Sequence, residues 1–248
     1  MVAGFQSFDE STLGAYTESP LGMRSGELTL NAVWATRRDD IYRLSAIDFT
    51  ILDEAVSTLG NVWGIGGDNS VVWGGVDSGT DEFAQEYSPV DLTPVVANRT
   101  ADLDGVPSFG CGGNVNAIYF CENNGMLYEF SPVDFTEVSS IDLSVGSFPY
   151  TDPDGVGGTG FRAYFVDSTT DFIEKRNPNL ATWTTTRIAA SPGTSNGCEG
   201  IGGGLNTCYV SNVLDDEIWV YDGILNFVSG PHPWTGAGSP WGIGGDDS

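Results

Sequence analysis

Positive charge is almost missing from this sequence. Of 248 residues, nine are Lys or Arg and 34 are Asp or Glu, which gives a formal net charge of −25. A surface of this charge repels phosphate groups, so nucleic acid and anionic membrane surfaces are not expected as partners. His232 is the only histidine. Imidazole acid–base chemistry and histidine-rich metal sites therefore have almost no residues to use, and neither a metal nor a cofactor is expected.

Long apolar runs and targeting signals are also missing. No run approaches the ~18 apolar residues of a membrane span, and residues 1–25 show no charged, apolar and cleavable signal pattern. We therefore expect no membrane partner and synthesis without a signal peptide. Hydrophobic residues still make up 40% of the chain and aromatic residues 12%, which is enough to build a folded core.

The balance among the charged residues points to a salty environment. Asp outnumbers Glu by 22 to 12, and Lys175 is the single lysine. This composition resembles that of proteins from extreme halophiles. In molar salt the repulsion between like charges is screened to within ~3 Å, so a strongly acidic surface is tolerated there. We expect the protein to work in high salt.

The four cysteines form two pairs of equal spacing, Cys111/Cys121 and Cys198/Cys208. Neither pair is a Cys-x-x-Cys motif, so zinc binding is not indicated. Each pair brackets a predicted hairpin. Cys111 and Cys121 could form a cross-strand disulfide, whereas Cys198 and Cys208 are out of register by several residues. Buried free thiols are the preferred interpretation.

A glycine-rich motif recurs five times and predicts the architecture. Its first glycines are spaced by 46, 45, 45 and 42 residues. The five copies are Trp63–Gly67, Phe109–Gly113, Asp154–Gly158, Glu199–Gly203 and Trp241–Gly245. Two β-branched or aromatic segments and turn residues follow each of the first four copies. Four short antiparallel strands per ~40–45 residues are typical of a propeller blade.

The predicted fold class is therefore all-β: a five-bladed β-propeller with four antiparallel strands per blade, in which both termini build one blade. Blade 1 combines residues 28–62 with residues 239–248, because the last glycine motif has no strands after it. Blades 2 to 5 are residues of about 63–104, 105–147, 148–191 and 192–238. A blade shared by both ends closes the ring and removes free sheet edges.

Two N-terminal segments need separate treatment. In blade 1, residues 32–34 and 41–44 are predicted strands joined by a turn at residues 37–40. Residues 1–27 lie outside the repeat and show no clear period. They are either a disordered leader or an arm that docks onto a partner or onto the propeller.

Parts of the repeat resemble the blades of YVTN- and NHL-type propellers. The residues that carry the resemblance are 240–243 (Pro-Trp-Gly-Ile), 208–212 (Cys-Tyr-Val-Ser-Asn) and 217–222 (Glu-Ile-Trp-Val-Tyr-Asp). As a repeat pattern it extends over residues 28–248. The chain departs from those families in having fewer blades and more glycine in the first strand. The resemblance implies a propeller fold and a role in recognition, and it brings no catalytic motif.

The residue before the first glycine of each motif occupies an equivalent position around the predicted central mouth. These residues are Trp63, Phe109, Asp154, Glu199 and Trp241. Aromatic faces stack on the C–H side of a sugar ring, and carboxylates accept hydrogen bonds from its hydroxyls, so the five residues form a candidate sugar-binding ring. The alternative is that they fill the gaps between blades.

Acidic residues crowd the predicted loops on the same face. Residues 102–105 and 152–155 begin like calcium loops, but Gly113 and Ala163 occupy the position of the final Glu. We interpret these loops as solvated acidic surface and assign no metal site.

Our leading hypothesis is a non-catalytic structural and recognition module, such as a virion surface or tail-associated attachment protein of a haloarchaeal virus. It would lie on a virion or extracellular surface in high salt and contact other virion or surface proteins through the leader or a propeller face. Host surface glycan or protein is the expected target. One alternative is a glycoside-active propeller enzyme that uses Asp154 and Glu199 as its carboxylate pair, and another is a halophile scaffold protein.

Overall fold

The computed structural model describes residues 32–68, 70–100, 108–122, 125–142, 153–159, 162–167, 172–176, 185–189, 198–203 and 206–245. The chain divides into two units, Met1–Leu30 and Asn31–Ser248, and the described residues belong to the second. The predicted leader, residues 1–27, lies outside them. Among the described residues, no helix combines the length and the apolar character that crossing a bilayer requires.

The described residues form five antiparallel sheets of four strands each. Sheet 1 contains β1 (Ala32–Arg37), β2 (Asp40–Ser45), β3 (Ile51–Val56) and, from the other end of the chain, β20 (Gly242–Gly245). Sheet 2 contains β4 (Asn61–Gly67), β5 (Val72–Asp77), β6 (Glu82–Tyr87) and β7 (Pro94–Arg99). Sheet 3 contains β8 (Ser108–Gly113), β9 (Ile118–Glu122), β10 (Met126–Phe130) and β11 (Glu137–Asp142). Sheet 4 contains β12 (Pro153–Thr159), β13 (Arg162–Asp167), β14 (Phe172–Arg176) and β15 (Thr185–Ala189). Sheet 5 contains β16 (Cys198–Gly203), β17 (Thr207–Asn212), β18 (Glu217–Asp222) and β19 (Phe227–Pro233).

The prediction of an all-β chain whose four-stranded sheets form a β-propeller is confirmed. The glycine motifs lie on the first strand of each sheet: β4, β8, β12, β16 and β20. In sheet 1, β20 pairs antiparallel with β1, so the last described strand completes a sheet that begins near the N-terminal end of the described chain. Pairing of this kind leaves β1 without an exposed inner edge.

Each sheet combines a glycine on its first strand with a buried aromatic residue on its second. These cross-strand pairs are Gly244–Trp34, Gly66–Trp73, Gly112–Tyr119, Gly157–Tyr164 and Gly202–Tyr209. Directly opposed residues point to the same face of a sheet. Each pair therefore leaves the first strand, near the axis, without a side chain and gives the second strand, farther out, a large one. Each sheet is thus a wedge that is narrow at the axis.

The wedges meet backbone to backbone along the axis. A Cβ added to any of the five axial glycines would lie between 2.5 and 3.3 Å from the Cα of the axial glycine in the next sheet. The sequence of contacts runs through Gly66, Gly112, Gly157, Gly202 and Gly244, and returns to Gly66. Only glycine permits so close an approach of neighbouring strands. The glycine repeat is therefore explained by packing at a narrow axis.

The hydrophobic core is distributed between neighbouring sheets rather than gathered in one place. One cluster joins Trp34 and Ile41 of sheet 1 to Phe83 and Tyr87 of sheet 2. At the other side of sheet 1, a cluster includes Tyr42 together with Tyr209 and Ile218 of sheet 5. The remaining clusters of the described residues join sheets 2 and 3, 3 and 4, and 4 and 5 in the same way. Sheet 1 is thus fixed to both neighbours by buried apolar side chains.

The predicted turn at residues 37–40 is too long. Arg37 pairs with Asp40 as the last rung of the β1–β2 ladder, so only Arg38 and Asp39 form the turn. Arg38 has a φ of 56°, in the left-handed region that two-residue hairpin turns require. Such turns usually carry Asn, Asp or Gly there, which is why an arginine gives no signal of the tight turn.

Candidate functional site

The five candidate ring residues share one backbone position. In four sheets the ladder between the first and second strands contains a β-bulge at the residue before the first glycine. The bulge residues are Trp63, Phe109, Asp154 and Glu199, and Trp241 stands at the same place directly before β20. A bulge re-aims the side chain of its extra residue and often lies beside a functional site. All five positions therefore lie at the same end of the first strands.

Trp63 and Trp241 are brought into direct contact. Their ring centroids are 5.2 Å apart and their planes cross at 70°, an edge-to-face arrangement. The buried Thr36 connects their backbones: its Oγ1 donates to the carbonyl of Trp63 at 3.3 Å, and its own carbonyl accepts from the amide of Trp241 at 2.8 Å. The indole Nε1 of Trp63 donates to Asp77 Oδ2 at 3.4 Å. Both tryptophans remain partly exposed, so they form a fixed aromatic surface.

The other ring residues differ in accessibility. Asp154 is 8% exposed, whereas Glu199 is partly exposed. The side chain of Phe109 lies outside the described residues. Asp154 raises the pKa of the Cys121 thiol through its charge, in addition to the larger effect of burial. This carboxylate is therefore near the buried Cys121, which belongs to the hydrophobic cluster between sheets 3 and 4.

The axis itself offers little room. A cavity of about 130 Å³ of atom-free space runs along it. Its lining is made of the first glycines of the five motifs, Glu199, and the residues Ile65, Cys111, Val156, Ile201 and Ile243. This volume includes open solvent, and no part of the space is large enough to hold a water molecule. The axis is therefore closed to a ligand, and its glycines serve packing.

A second set of equivalent residues surrounds the same mouth at the ends of the second strands. Its members are Arg37, Asp77, Glu122, Asp167 and Asn212. Sequence reasoning placed the charged members of this set among solvated loop residues, whereas the structure shows Arg37, Asp77 and Glu122 in defined hydrogen bonds. The Tyr128 hydroxyl donates to Glu122 Oε2 at 3.3 Å, and Asn212 Oδ1 accepts from the amide of Leu214 at 2.9 Å.

Among the described residues, the acidic side chains around the mouth do not form a metal centre. Glu122 and Asp167 are 4% and 1% exposed. Within the residues that the structure describes, no group of His, Cys, Asp or Glu is arranged to hold a metal ion. Residues 102–105 and residue 152, which belong to the calcium-like segments, lie outside those residues.

Sequence reasoning missed Thr36 and placed Asp77 in solvated loops, although both residues hydrogen-bond with the tryptophan pair. Thr36 is the last but one residue of β1 and lies opposite Gly242, whereas Asp77 is the last residue of β5 and lies opposite Asn61. The signal was present in the repeat, because the last residue of every second strand can be aligned with that of the others once the register is known.

The four cysteines are buried free thiols. Cys111 pairs with Phe120, and Cys121 pairs with Gly110, so the two cysteines are offset by one rung. Cys198 and Cys208 lie opposite Asn212 and Gly203, at the two ends of the β16–β17 ladder. Burial raises the pKa values of the Cys111, Cys121 and Cys208 thiols. The thiol form is therefore favoured, and thiol chemistry has no place at this site.

Comparisons with known proteins find similarity in structure. No family model and no curated protein matches the chain. The glutaminyl cyclase of Myxococcus xanthus is 10% identical, with a TM-score of 0.51 over 74% of this chain and 69% of that chain. A chain of a nidogen/laminin complex is 14% identical, with a TM-score of 0.51 over 87% and 98%. The β-propeller domain of Cps50 (Swd1) from Myceliophteria thermophila is 10% identical, with a TM-score of 0.46 over 81% and 69%. At these identities the likeness concerns the fold alone.

Proposed function

We propose that this protein is a non-catalytic recognition module that binds a sugar across the mouth at Trp63 and Trp241. The observation that carries the proposal is the contact between these two tryptophans, which are partly exposed and fixed at the bulge end of the first strands. Indole faces provide apolar area for the C–H side of a sugar ring. Glu199, at the equivalent position in sheet 5, supplies an acceptor for its hydroxyls.

The scaffold suits this role because the mouth is built on strands. We propose that the five sheets act as five blades of one closed ring. The cluster between sheets 5 and 1 and the contact between Gly244 and Gly66 support this closure. A site carried by hydrogen-bonded strands loses little conformational entropy when a ligand binds.

The setting that we propose is a virion or extracellular surface in molar salt, with host envelope glycan as the target. The support is the composition: a formal net charge of −25 and one lysine. Attachment to other virion or surface proteins would use residues 1–27 or a propeller face. Mass spectrometry of purified virus particles and of cell fractions tests this setting, and recovery only from a soluble cell fraction would favour the scaffold alternative.

An array of envelope glycans in molar KCl tests the function. We expect the protein to bind particular glycans and to leave them intact, as judged by mass spectrometry of the glycans after incubation. Asp154→Asn and Glu199→Gln should weaken binding modestly by changing hydrogen bonds. Cleavage of a bound glycan that either substitution abolishes would replace this proposal by the glycosidase alternative.

A further inference from the structure

We infer that the mouth selects sugars that carry an anionic group, a carboxylate or a sulfate ester, and that Arg37 and Arg38 bind this group. The inference rests on the proposed sugar-binding function and adds the class of sugar. It starts from an unusual placement: in a chain with nine cationic residues, two consecutive arginines lie at a turn whose backbone is hydrogen-bonded to the segments that carry Trp63 and Trp241.

Hydrogen bonds place the β1–β2 turn between those tryptophans. The carbonyl of Arg38 accepts from the amide of Val62 at 2.6 Å, which fixes the turn to the residue before Trp63. On the other side, the amide of Trp241 donates to Thr36, the residue before Arg37. The backbone of the turn that carries the two arginines is therefore attached to the segments that carry both tryptophans.

Arg37 is held towards the Trp241 side of the mouth. Its guanidinium lies over Gly238, where an added Cβ would come within 2.6 Å of the Arg37 Cζ. Its Nη1 is 3.5 Å from Asp40 Oδ2, and its side chain remains 37% exposed. A long ion pair of this kind leaves other guanidinium N–H groups to bind a ligand.

Arg38 differs from Arg37, because its side chain has no partner in the described part of the chain. It is exposed, and among the described residues its guanidinium makes no ion pair or hydrogen bond. Its φ of 56° is unfavourable for a residue with a Cβ, and Asn or Gly would fit the turn better. The charge of Arg38 is therefore exposed and unpaired within the described residues, and it is available to a ligand.

Among the described residues at the ends of the second strands, Arg37 is the one cation, and Asp77, Glu122 and Asp167 follow it around the ring. The segment that carries Arg37 and Arg38 also carries Asp39 and Asp40, so its formal charge is zero. In molar salt, screening confines electrostatic attraction and repulsion to ~3 Å, so direct contacts decide how a ligand binds. An anionic group then binds at the arginines, while the hydroxyls of the same sugar reach the acceptors on the acidic side. Guanidinium groups bind carboxylate and sulfate oxygens through paired N–H donors.

The test compares four probes by NMR titration of the indole and arginine N–H signals in molar KCl. The probes are methyl glucoside, glucuronate, glucose 6-sulfate and inorganic sulfate. We expect at least one charged sugar to bind about tenfold more tightly than methyl glucoside. The Arg38→Gln variant should lose this preference and keep binding of methyl glucoside. Arg99→Gln removes the same charge from an exposed position on β7 and should behave as wild type.

Each other outcome is decisive. Equal affinity for the neutral and charged sugars, unchanged in Arg38→Gln, overturns the inference and leaves sugar binding intact. Inorganic sulfate that binds as tightly as glucose 6-sulfate overturns the assignment to a sugar. If none of the four probes shifts the indole or arginine N–H signals, both this inference and the proposed function are overturned. Tighter binding of glucuronate would assign the anionic group as a carboxylate, and tighter binding of glucose 6-sulfate would assign it as a sulfate ester.

Discussion

Gly244, in the last described strand, packs directly against Gly66, in the first strand of sheet 2. A Cβ on Gly244 would lie 2.5 Å from the Cα of Gly66 and 2.7 Å from the carbonyl oxygen of Ile65. Because these partners are backbone atoms, rotation of a side chain cannot relieve the contact. The join between sheets 1 and 2 therefore depends on the absence of a single methyl group.

Replacing Gly244 by Ala should destabilise the protein strongly. The added methyl group forces β20 away from β4, and overpacking of this kind costs about 1–3 kcal/mol or more. Gly79→Ala is the matched control, because it has open space around it and its φ of 85° costs about 1 kcal/mol. Chemical denaturation measures both. A smaller loss for Gly244→Ala than for Gly79→Ala would contradict the packing of the axis.

The repeat allowed the first strands to be predicted because axial packing imposes glycine at fixed intervals. The bulges at Trp63 and its equivalents were not predictable, since a bulge is a property of the register between two strands. The tight turn at Arg38 was missed because an arginine is unusual at a left-handed turn position, where Asn, Asp or Gly is expected. Burial of Asp154 could not be predicted either, because a residue one step before a glycine can face the mouth or a neighbouring sheet.

Stability should rise with salt concentration. In dilute buffer the charges that give the net −25 repel one another over about 10 Å at 0.1 M salt, and molar salt reduces this range to ~3 Å. We expect the melting temperature to increase between dilute and molar KCl. An uncharged osmolyte such as sucrose controls for general exclusion effects. Equal melting temperatures in dilute and molar KCl would contradict the halophilic interpretation.

Stability should fall at alkaline pH in a way that depends on Tyr87. Burial raises the pKa of this fully buried tyrosine from 10.0 to about 12, despite its 3.3 Å hydrogen bond with Ser57 Oγ. A raised pKa means that its contribution is complete below pH 10 and is lost as the pH rises from 10 to 12. The loss is on the order of 2–3 kcal/mol. Denaturation at pH 9 and pH 11 captures about half of this loss, and Tyr87→Phe should show a smaller drop. An identical drop in that variant would assign the alkaline transition to other groups.

The cysteines should be inert in the folded protein. All four are buried, and alkylating reagents attack the thiolate form of cysteine, which burial disfavours. Iodoacetamide should leave the native protein unlabelled and should label four thiols after denaturation without a reductant, as read by intact-mass spectrometry. Two thiols that label only after reduction would reveal a disulfide and contradict this description.

The central claim is that ligands are recognised by the tryptophan pair at the mouth. The direct measurement is the affinity of the Trp63→Ala/Trp241→Ala variant for an envelope glycan that the wild type binds, in molar KCl. Each lost indole should cost on the order of 1–3 kcal/mol of binding free energy, so binding should become undetectable. Phe227→Ala, which removes a 47% exposed aromatic side chain from the outer strand β19, should bind as wild type. Melting curves must show that the double variant is folded. Wild-type affinity in a folded double variant would contradict the account and place recognition elsewhere on the protein.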